Sequence, residues 1–191
     1  MPSQIASRAS LTIPNLITLV RILLTPLFII FLIQGSYRKA LLIFLLAGVS
    51  DLADGLIARH WQQKTPLGTI LDPLADKLLL SSSFVTLSIF RLIPSWLTVL
   101  VISRDVALAL GISVLKLADF PLTIKPTLMG KWTTTWQLTT VLVVLLGKIW
   151  PIPGQVLWAC FWLTGGLTVV SGVQYLFNGL KMVGQNSGKN R

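Results

Sequence analysis

The sequence predicts an all-α integral membrane protein, a bundle of six transmembrane helices that forms one domain over residues 1–191. Two observations predict this class, and a third excludes other kinds of small protein. Hydrophobic residues make up 53% of the chain and charged residues only 12%, about half the share found in soluble domains. The apolar residues fall into six runs close to the length that crosses a bilayer. A single cysteine, Cys160, excludes an internal disulfide framework and a multi-cysteine metal site.

The six runs predict spans at about residues 13–34, 39–58, 73–92, 94–115, 131–147 and 155–177. The first opens at Pro14 and contains Pro26, where we expect a kink. The second ends in a pair of aspartates. The third is predicted to begin at Pro73, which makes Asp72 its N-cap. The fourth follows Pro94, the fifth opens on a lysine, and the glycines of the sixth favour close helix packing.

The charge balance predicts where the ends of these spans lie. The chain holds 16 Lys and Arg against 6 acidic residues, a formal net charge of +10. Such a charge suits nucleic acid or anionic lipid, and the apolar runs favour lipid, so we expect no nucleic acid partner. Nine cations fall in the N-terminus, second loop, fourth loop and C-terminus, and four in the alternate loops. The positive-inside rule then puts both termini in the cytoplasm, and we expect a multi-pass protein of a bacterial inner membrane.

All six acidic residues are aspartates, and four of them share one 26-residue window. The window reads D-x2-D-G-x2-A-R-x8-G-x3-D-x3-D, from Asp51 to Asp76. Asp51 and Asp54 are three residues apart and Asp72 and Asp76 four apart, so each pair shares one face of its helix. Both pairs are expected at the cytoplasmic end of neighbouring spans, within one or two turns of the same depth. The sequence therefore predicts four converging carboxylates.

Four carboxylates cannot all stay charged at low dielectric unless cations neutralise them. Carboxylate oxygens suit Mg²⁺ or Mn²⁺, and two such ions can bridge a diphosphate. Gly55 and Ala58 leave room beside the helix, Arg59 offers a bidentate phosphate contact, and Gly68 permits close approach of the backbone. The spacing therefore predicts a diphosphate site held by two metal ions.

Two other interpretations account for the same acids. In one, the aspartates form a buried ion-pair network with Arg21, Arg59, Lys77 and Arg104. In the other, they carry a cation or a proton through an ion transporter, although transporters usually place such groups near the bilayer midplane between repeats. Acids inside a membrane usually mark a functional site, which favours metal binding over the network.

At all eight fixed positions, the window is similar to the signature of the CDP-alcohol phosphatidyltransferases. The resemblance implies transfer of a phosphatidyl or related group from a CDP-linked donor to an alcohol, with release of CMP. It implies that Mg²⁺ or Mn²⁺ binds to Asp51, Asp54, Asp72 and Asp76, and that Asp76 is also the general base on the acceptor hydroxyl. It further implies that Gly55, Ala58, Arg59 and Gly68 hold the CDP moiety, and that the enzyme is a homodimer.

Flanking stretches resemble the branch of this family that makes phosphatidylglycerophosphate and cardiolipin. These are IPNLITLVR, ending at Arg21, and LDPLADK, ending at Lys77. The SRD at Arg104 and the KPT at Lys125 resemble cardiolipin synthases of the eukaryotic type, whereas GKWTT around Lys131 mixes two patterns. The donor implied is CDP-diacylglycerol, and the predicted acceptor is phosphatidylglycerol, with glycerol 3-phosphate as the alternative.

Four cations are candidates for binding the acceptor phosphate: Arg21, Arg104, Lys125 and Lys131. For Arg104 the alternative is an ion pair with Asp105, and for the two lysines it is a solvated loop facing lipid headgroups.

Overall fold

A computed structural model describes residues 13–60, 66–117 and 128–187, and within these ranges the chain is helical with no strand. The six helices are α1 (Ile13–Ile33), α2 (Tyr37–His60), α3 (Pro66–Ile89), α4 (Ser95–Leu117), α5 (Leu128–Gly147) and α6 (Gly154–Ser187). The all-α prediction is confirmed, with one helix for each of the six apolar runs.

The error in the predicted bounds that affects the candidate site concerns α3. This helix begins at Pro66, seven residues before the predicted start, and Pro73 lies inside it. Asp72 is therefore a residue of the helix interior. The sequence predicted it to be the N-cap, and that prediction is wrong. Pro66 and Pro73 each suit the first position of a helix, but the predicted apolar run starts only at Pro73. The segment from Pro66 to Asp72 is helical although it is not strongly apolar.

The chain divides into two compact units, residues 1–86 and 87–191. In the first unit α1 packs against α2, and a tight turn connects the two helices. Gly35 has φ +66°, and the backbone N–H of Ser36 donates to the carbonyl of Phe31 at 2.9 Å, which closes the last turn of α1. Phe28 and Phe44 meet across the two helices with ring centroids 5.7 Å apart.

In the second unit α6 packs against both α4 and α5. The contact between α5 and α6 is polar and buried: the side chains of Thr140 and Thr164 are 2.6 Å apart, and Gln137 donates from Nε2 to Thr168 at 3.3 Å. Against α4, Gly165 lies so close to Trp96 that a Cβ at the glycine would be 2.8 Å from the indole. Polar contacts between helices and close small-residue packing both hold this unit together.

Two helices are long and apolar enough to cross a membrane by length and composition, among the residues described. They are the segments Leu16–Ile33 of α1 and Gly154–Gly179 of α6. Six membrane spans therefore stay a prediction for the other four helices.

Candidate active site

The second aspartate pair lies on the N-terminal half of α3. Asp72 and Asp76 are one helical turn apart, and both face α1. Asp72 is half-buried, and the side chain of Asp76 is 47% exposed. A carboxylate with this exposure is accessible to a ligand while it stays anchored on a rigid helix.

α1 supplies one hydrogen-bond donor to each carboxylate of this pair. The hydroxyl of Thr18 donates to Oδ1 of Asp72 at 2.5 Å. The guanidinium of Arg21 donates from Nη1 to Oδ1 of Asp76, also at 2.5 Å. Both donors are buried, Thr18 completely and Arg21 with 1% of its side chain exposed. The order of the contacts shows that α1 and α3 run in the same direction here.

The first aspartate pair lies near the C-terminal end of α2. Asp51 is nine residues and Asp54 six residues before the end of the helix at His60. On α3, Asp72 is six residues and Asp76 ten residues after the start at Pro66. At 1.5 Å per residue, both pairs lie about 9–15 Å from the helix ends that the connecting segment joins. The backbone thus gives the two pairs matching positions along their helices.

Several predicted site residues lie where the structure describes the backbone alone. The side chains of Asp51, Asp54, Ala58 and Arg59 are outside the described part, as are the surroundings of Gly55 and Gly68. By backbone position Gly55, Ala58 and Arg59 occupy the last two turns of α2, and Gly68 the first turn of α3. Their roles at a CDP moiety stay predictions.

The candidate acceptor cations have different surroundings. Arg21 contacts Asp76, as described above. Arg104 is buried in the second unit, where it donates to Asp105 at 2.9 Å and to Ser171 at 2.8 Å. Its guanidinium carbon also lies 6.0 Å from the ring centroid of Tyr175. Lys131 is exposed in the first turn of α5, and Lys125 is outside the described residues.

The donor chemistry of the site suits a hard divalent cation. The two described carboxylates offer oxygen ligands, the class that Mg²⁺ and Mn²⁺ prefer. Neither carboxylate is closed off from ligands, since Asp72 is only half-buried and Asp76 is half exposed. No cluster of three or more ligating residues occurs among the described side chains, a set that leaves out Asp51 and Asp54. The two described carboxylates therefore fit a metal, and the role of Asp51 and Asp54 as further ligands stays a prediction.

The all-helical fold and the paired aspartates at helical spacing are the features by which a protein family can be assigned. The family model for CDP-alcohol phosphatidyltransferases matches residues 11–170, and this chain belongs to that family. The resemblance stated from the aspartate window is thereby confirmed, and membership favours an enzyme over an ion transporter.

Individual relatives carry names from both expected branches. A cardiolipin synthase (CMP-forming) of Rattus norvegicus is 36% identical over 93% of this chain and 65% of its own length. A probable phosphatidylglycerophosphate synthase of Mycobacterium tuberculosis is 33% identical over 95% of this chain and 88% of its own. A CDP-diacylglycerol–glycerol-3-phosphate 3-phosphatidyltransferase of Bacillus subtilis is 33% identical over 85% and 92%. The chain thus spans less than two thirds of the rat protein.

Sequence reasoning missed Thr18. It lies three residues before Arg21, so both residues share one face of α1. That spacing was visible in the sequence, but a lone threonine in an apolar helix usually bonds to its own backbone. Only the packing of α3 shows that its hydroxyl reaches a carboxylate.

Proposed function

We propose that this chain is a metal-dependent membrane enzyme that transfers the phosphatidyl group of CDP-diacylglycerol to a glycerol-based acceptor and releases CMP. The observation that carries the proposal is the accessible carboxylate of Asp76, held on α3 at the last position of the family signature. A general base must be exposed to its substrate and fixed in orientation, and Asp76 meets both requirements.

The proposed reaction needs one proton transfer and one displacement at phosphorus. Asp76 takes the proton from the acceptor hydroxyl. The acceptor oxygen then bonds to the phosphatidyl phosphorus, and the bond from that phosphorus to the oxygen of CMP breaks. Asp51, Asp54, Asp72 and Asp76 would hold two divalent ions, Mg²⁺ or Mn²⁺. Such ions neutralise the diphosphate and the leaving CMP when bound.

The other residues of the window orient the donor in this proposal. Arg59 binds a phosphate of the CDP moiety through its planar guanidinium, and Gly55, Ala58 and Gly68 leave space for the nucleotide against the helices. Orienting two amphiphilic substrates at one membrane surface converts their encounter into an effectively unimolecular step.

Phosphatidylglycerol is the acceptor that we propose, with cardiolipin as the product. The SRD and KPT stretches support this choice, and so does the name of the rat relative. Glycerol 3-phosphate is the second candidate, favoured by the name of the Bacillus subtilis relative. Of the four acceptor cations, the exposed Lys131 is best placed to meet a soluble or headgroup phosphate, whereas the buried contacts of Arg104 favour its ion-pair alternative.

The membrane arrangement belongs to the same proposal: six spans, with the active site and both termini in the cytoplasm. Large apolar side chains are exposed on all six helices, among them Leu23, Leu42, Leu78, Val99, Leu138 and Trp162. Soluble proteins rarely expose so many large apolar side chains, and lipid would cover them here. Labelling single cysteines placed at Gln34 and Lys64, in a Cys160→Ala background, tests the arrangement. We expect an impermeant reagent added outside the cell to modify position 34 alone.

The activity is tested by an acceptor assay with purified full-length protein. Labelled CDP-diacylglycerol and Mn²⁺ are supplied with either phosphatidylglycerol or glycerol 3-phosphate, and both the lipid product and CMP are measured. We expect cardiolipin and CMP with phosphatidylglycerol, and neither from an Asp76→Asn variant. Phosphatidylglycerophosphate formed from glycerol 3-phosphate alone would contradict the acceptor. Absence of CMP with every alcohol would contradict the enzyme activity.

A further inference from the structure

The two donors on α1 are placed in an unusual way for an apolar helix. Thr18 and Arg21 are buried, yet their polar ends are directed at Asp72 and Asp76 of α3. Burying a guanidinium is costly, and the carboxylate that Arg21 contacts is half exposed. Helix packing alone therefore gives no reason for an arginine at position 21.

The acceptors of these hydrogen bonds are the two aspartates that carry the proposed chemistry on α3. Each donor contacts Oδ1 of its carboxylate, at 2.5 Å. A hydrogen bond to one oxygen fixes the rotation of the whole carboxylate, and so fixes where its other oxygen points. Groups that orient metal ligands in this way typically change metal affinity or activity by about 10–100-fold when they are removed.

We propose that Thr18 and Arg21 are positioning residues for the reaction: Thr18 orients Asp72 as a metal ligand, and Arg21 orients Asp76 as the base. This inference rests on the proposed function. It also gives Arg21 a role different from binding the acceptor phosphate, since its guanidinium is already engaged with Asp76. The site is thus built from three helices, with α1 contributing orientation, and α2 and α3 the carboxylates.

Thr18 is tested by replacing its hydroxyl with a methyl group of nearly the same shape. We expect Thr18→Val to weaken Mn²⁺ binding, and to raise the Mn²⁺ concentration that gives half-maximal transfer, by about 10-fold or more. Thr18→Ser keeps the hydroxyl and should restore both values. Binding is measured by electron paramagnetic resonance of Mn²⁺ with the protein alone in detergent, so this readout does not depend on transfer.

Thr25→Val is the matched control on the same helix. Thr25 is also buried, but its hydroxyl donates to the backbone carbonyl of Arg21 at 3.0 Å and not to a carboxylate. We expect its Mn²⁺ affinity and its transfer rate to stay within about twofold of the parent protein. An equal loss of Mn²⁺ affinity in Thr25→Val and Thr18→Val would overturn the role of Thr18, since the effect would then follow any hydroxyl lost from α1.

Arg21 is tested by separating kcat from KM. We expect Arg21→Gln to lower kcat by about 10–100-fold, with the KM for phosphatidylglycerol within about twofold of the parent value. Arg21→Lys retains the charge but not the planar fork, and should regain part of kcat. Arg21→Lys also tests the role of Arg21 if the Arg21→Gln variant does not fold. A raised KM for the acceptor with kcat unchanged would show that Arg21 binds the acceptor, and would overturn the proposal.

The two proposals fail in different ways. If the parent protein transfers no phosphatidyl group, the proposed function is wrong, while Mn²⁺ binding still reports on Thr18. If the parent is active and the variants at positions 18 and 21 lose only thermal stability, with kcat, KM and Mn²⁺ affinity unchanged, α1 merely fastens α3 and the positioning role is wrong.

Discussion

Two arginine–aspartate pairs in this protein differ in what they leave accessible. Arg21 and Asp76 join two helices, and the exposed fractions of their side chains are 1% and 47%. Arg104 and Asp105 are neighbours on α4, with 7% and 9% exposed. Arg104 is also bonded to Ser171 of α6. The first pair buries its cation and presents its acid, whereas the second pair buries both partners.

The difference separates a binding role from a structural one. An ion pair with both partners buried has a structural role, because removing one partner leaves the other charge buried without compensation and destabilises the fold. A pair that exposes its carboxylate keeps that group available to a metal or a substrate. The polar contacts between α5 and α6 resemble the pair of Arg104 and Asp105, because their hydroxyl and amide groups are fully buried. We expect substitutions at Asp76 to change catalysis, and those at Arg104 and Asp105 to change stability.

Exchanging each aspartate for asparagine gives the largest contrast. Asp76→Asn removes the base and should lower transfer by about 10²–10⁴-fold, while the amide oxygen still accepts from Arg21. Asp105→Asn weakens a charged hydrogen bond and should lower the free energy of unfolding by about 1.5–3 kcal/mol, with transfer within about threefold. Rates are measured as CMP release, and unfolding by denaturant titration in detergent. Equal losses of transfer in the two variants would remove the distinction between the pairs.

Removing the cation of the pair of Arg104 and Asp105 tests whether its role is structural. Arg104→Leu leaves the buried Asp105 without its guanidinium donor and should cost about 3–5 kcal/mol. The double variant Arg104→Leu/Asp105→Leu removes both charges and should recover most of that loss. The unfolding free energies of the two variants and the parent decide the matter. A double variant that unfolds as easily as the single one would show that the cost comes from lost packing.

A smaller effect is expected where α6 contacts α4. A Cβ at Gly165 would lie 2.8 Å from Cζ3 of Trp96, so Gly165→Ala forces the indole to shift and should cost about 1–3 kcal/mol. Gly166→Ala is the matched control, because among the described residues no atom beyond its chain neighbours and its own helix backbone lies within 4 Å of a Cβ there. We expect lower thermal stability for the first variant alone, and unchanged transfer in both. Loss of transfer in Gly165→Ala at full stability would give this contact a catalytic role.

The smallest effect is expected for the hydroxyl contact between α5 and α6. Thr140 and Thr164 are 2.6 Å apart and buried. A double-mutant cycle with Thr140→Val and Thr164→Val should give a coupling energy of about 0.6 kcal/mol, the average for such contacts in a membrane protein. The cycle is read from unfolding free energies in detergent. A coupling energy of zero would show that the two hydroxyls do not stabilise each other.

The sequence was a good guide to the helices because runs of apolar residues are a property of the chain itself. It was a poor guide to their ends. Continuous helical hydrogen bonding does not require apolar side chains, so α3 extends back to Pro66 and α6 continues to Ser187 beyond the apolar runs. The predicted N-cap at Asp72 was wrong for this reason.

The site shows the same division between local and distant information. The spacing of Asp72 and Asp76 on one helix could be read from the sequence, and so could the pair formed by the neighbours Arg104 and Asp105. The partners Thr18 and Ser171 could not, since they lie 54 and 67 residues from the groups that they contact. Contacts over such distances depend on how whole helices pack, which no local pattern records.

The polar contacts of α5 also bear on the order in which the chain can be assembled. α6 follows α5 along the chain, so α5 is synthesised before its partner. The hydroxyls of Thr133 and Thr140 can wait, because each also bonds to a carbonyl of its own helix, at 2.8 and 2.9 Å. The amide of Gln137, by contrast, donates to Thr168 of α6. Until α6 is made, the amide of Gln137 lacks this acceptor, so the buried arrangement of α5 is complete only once α6 packs against it.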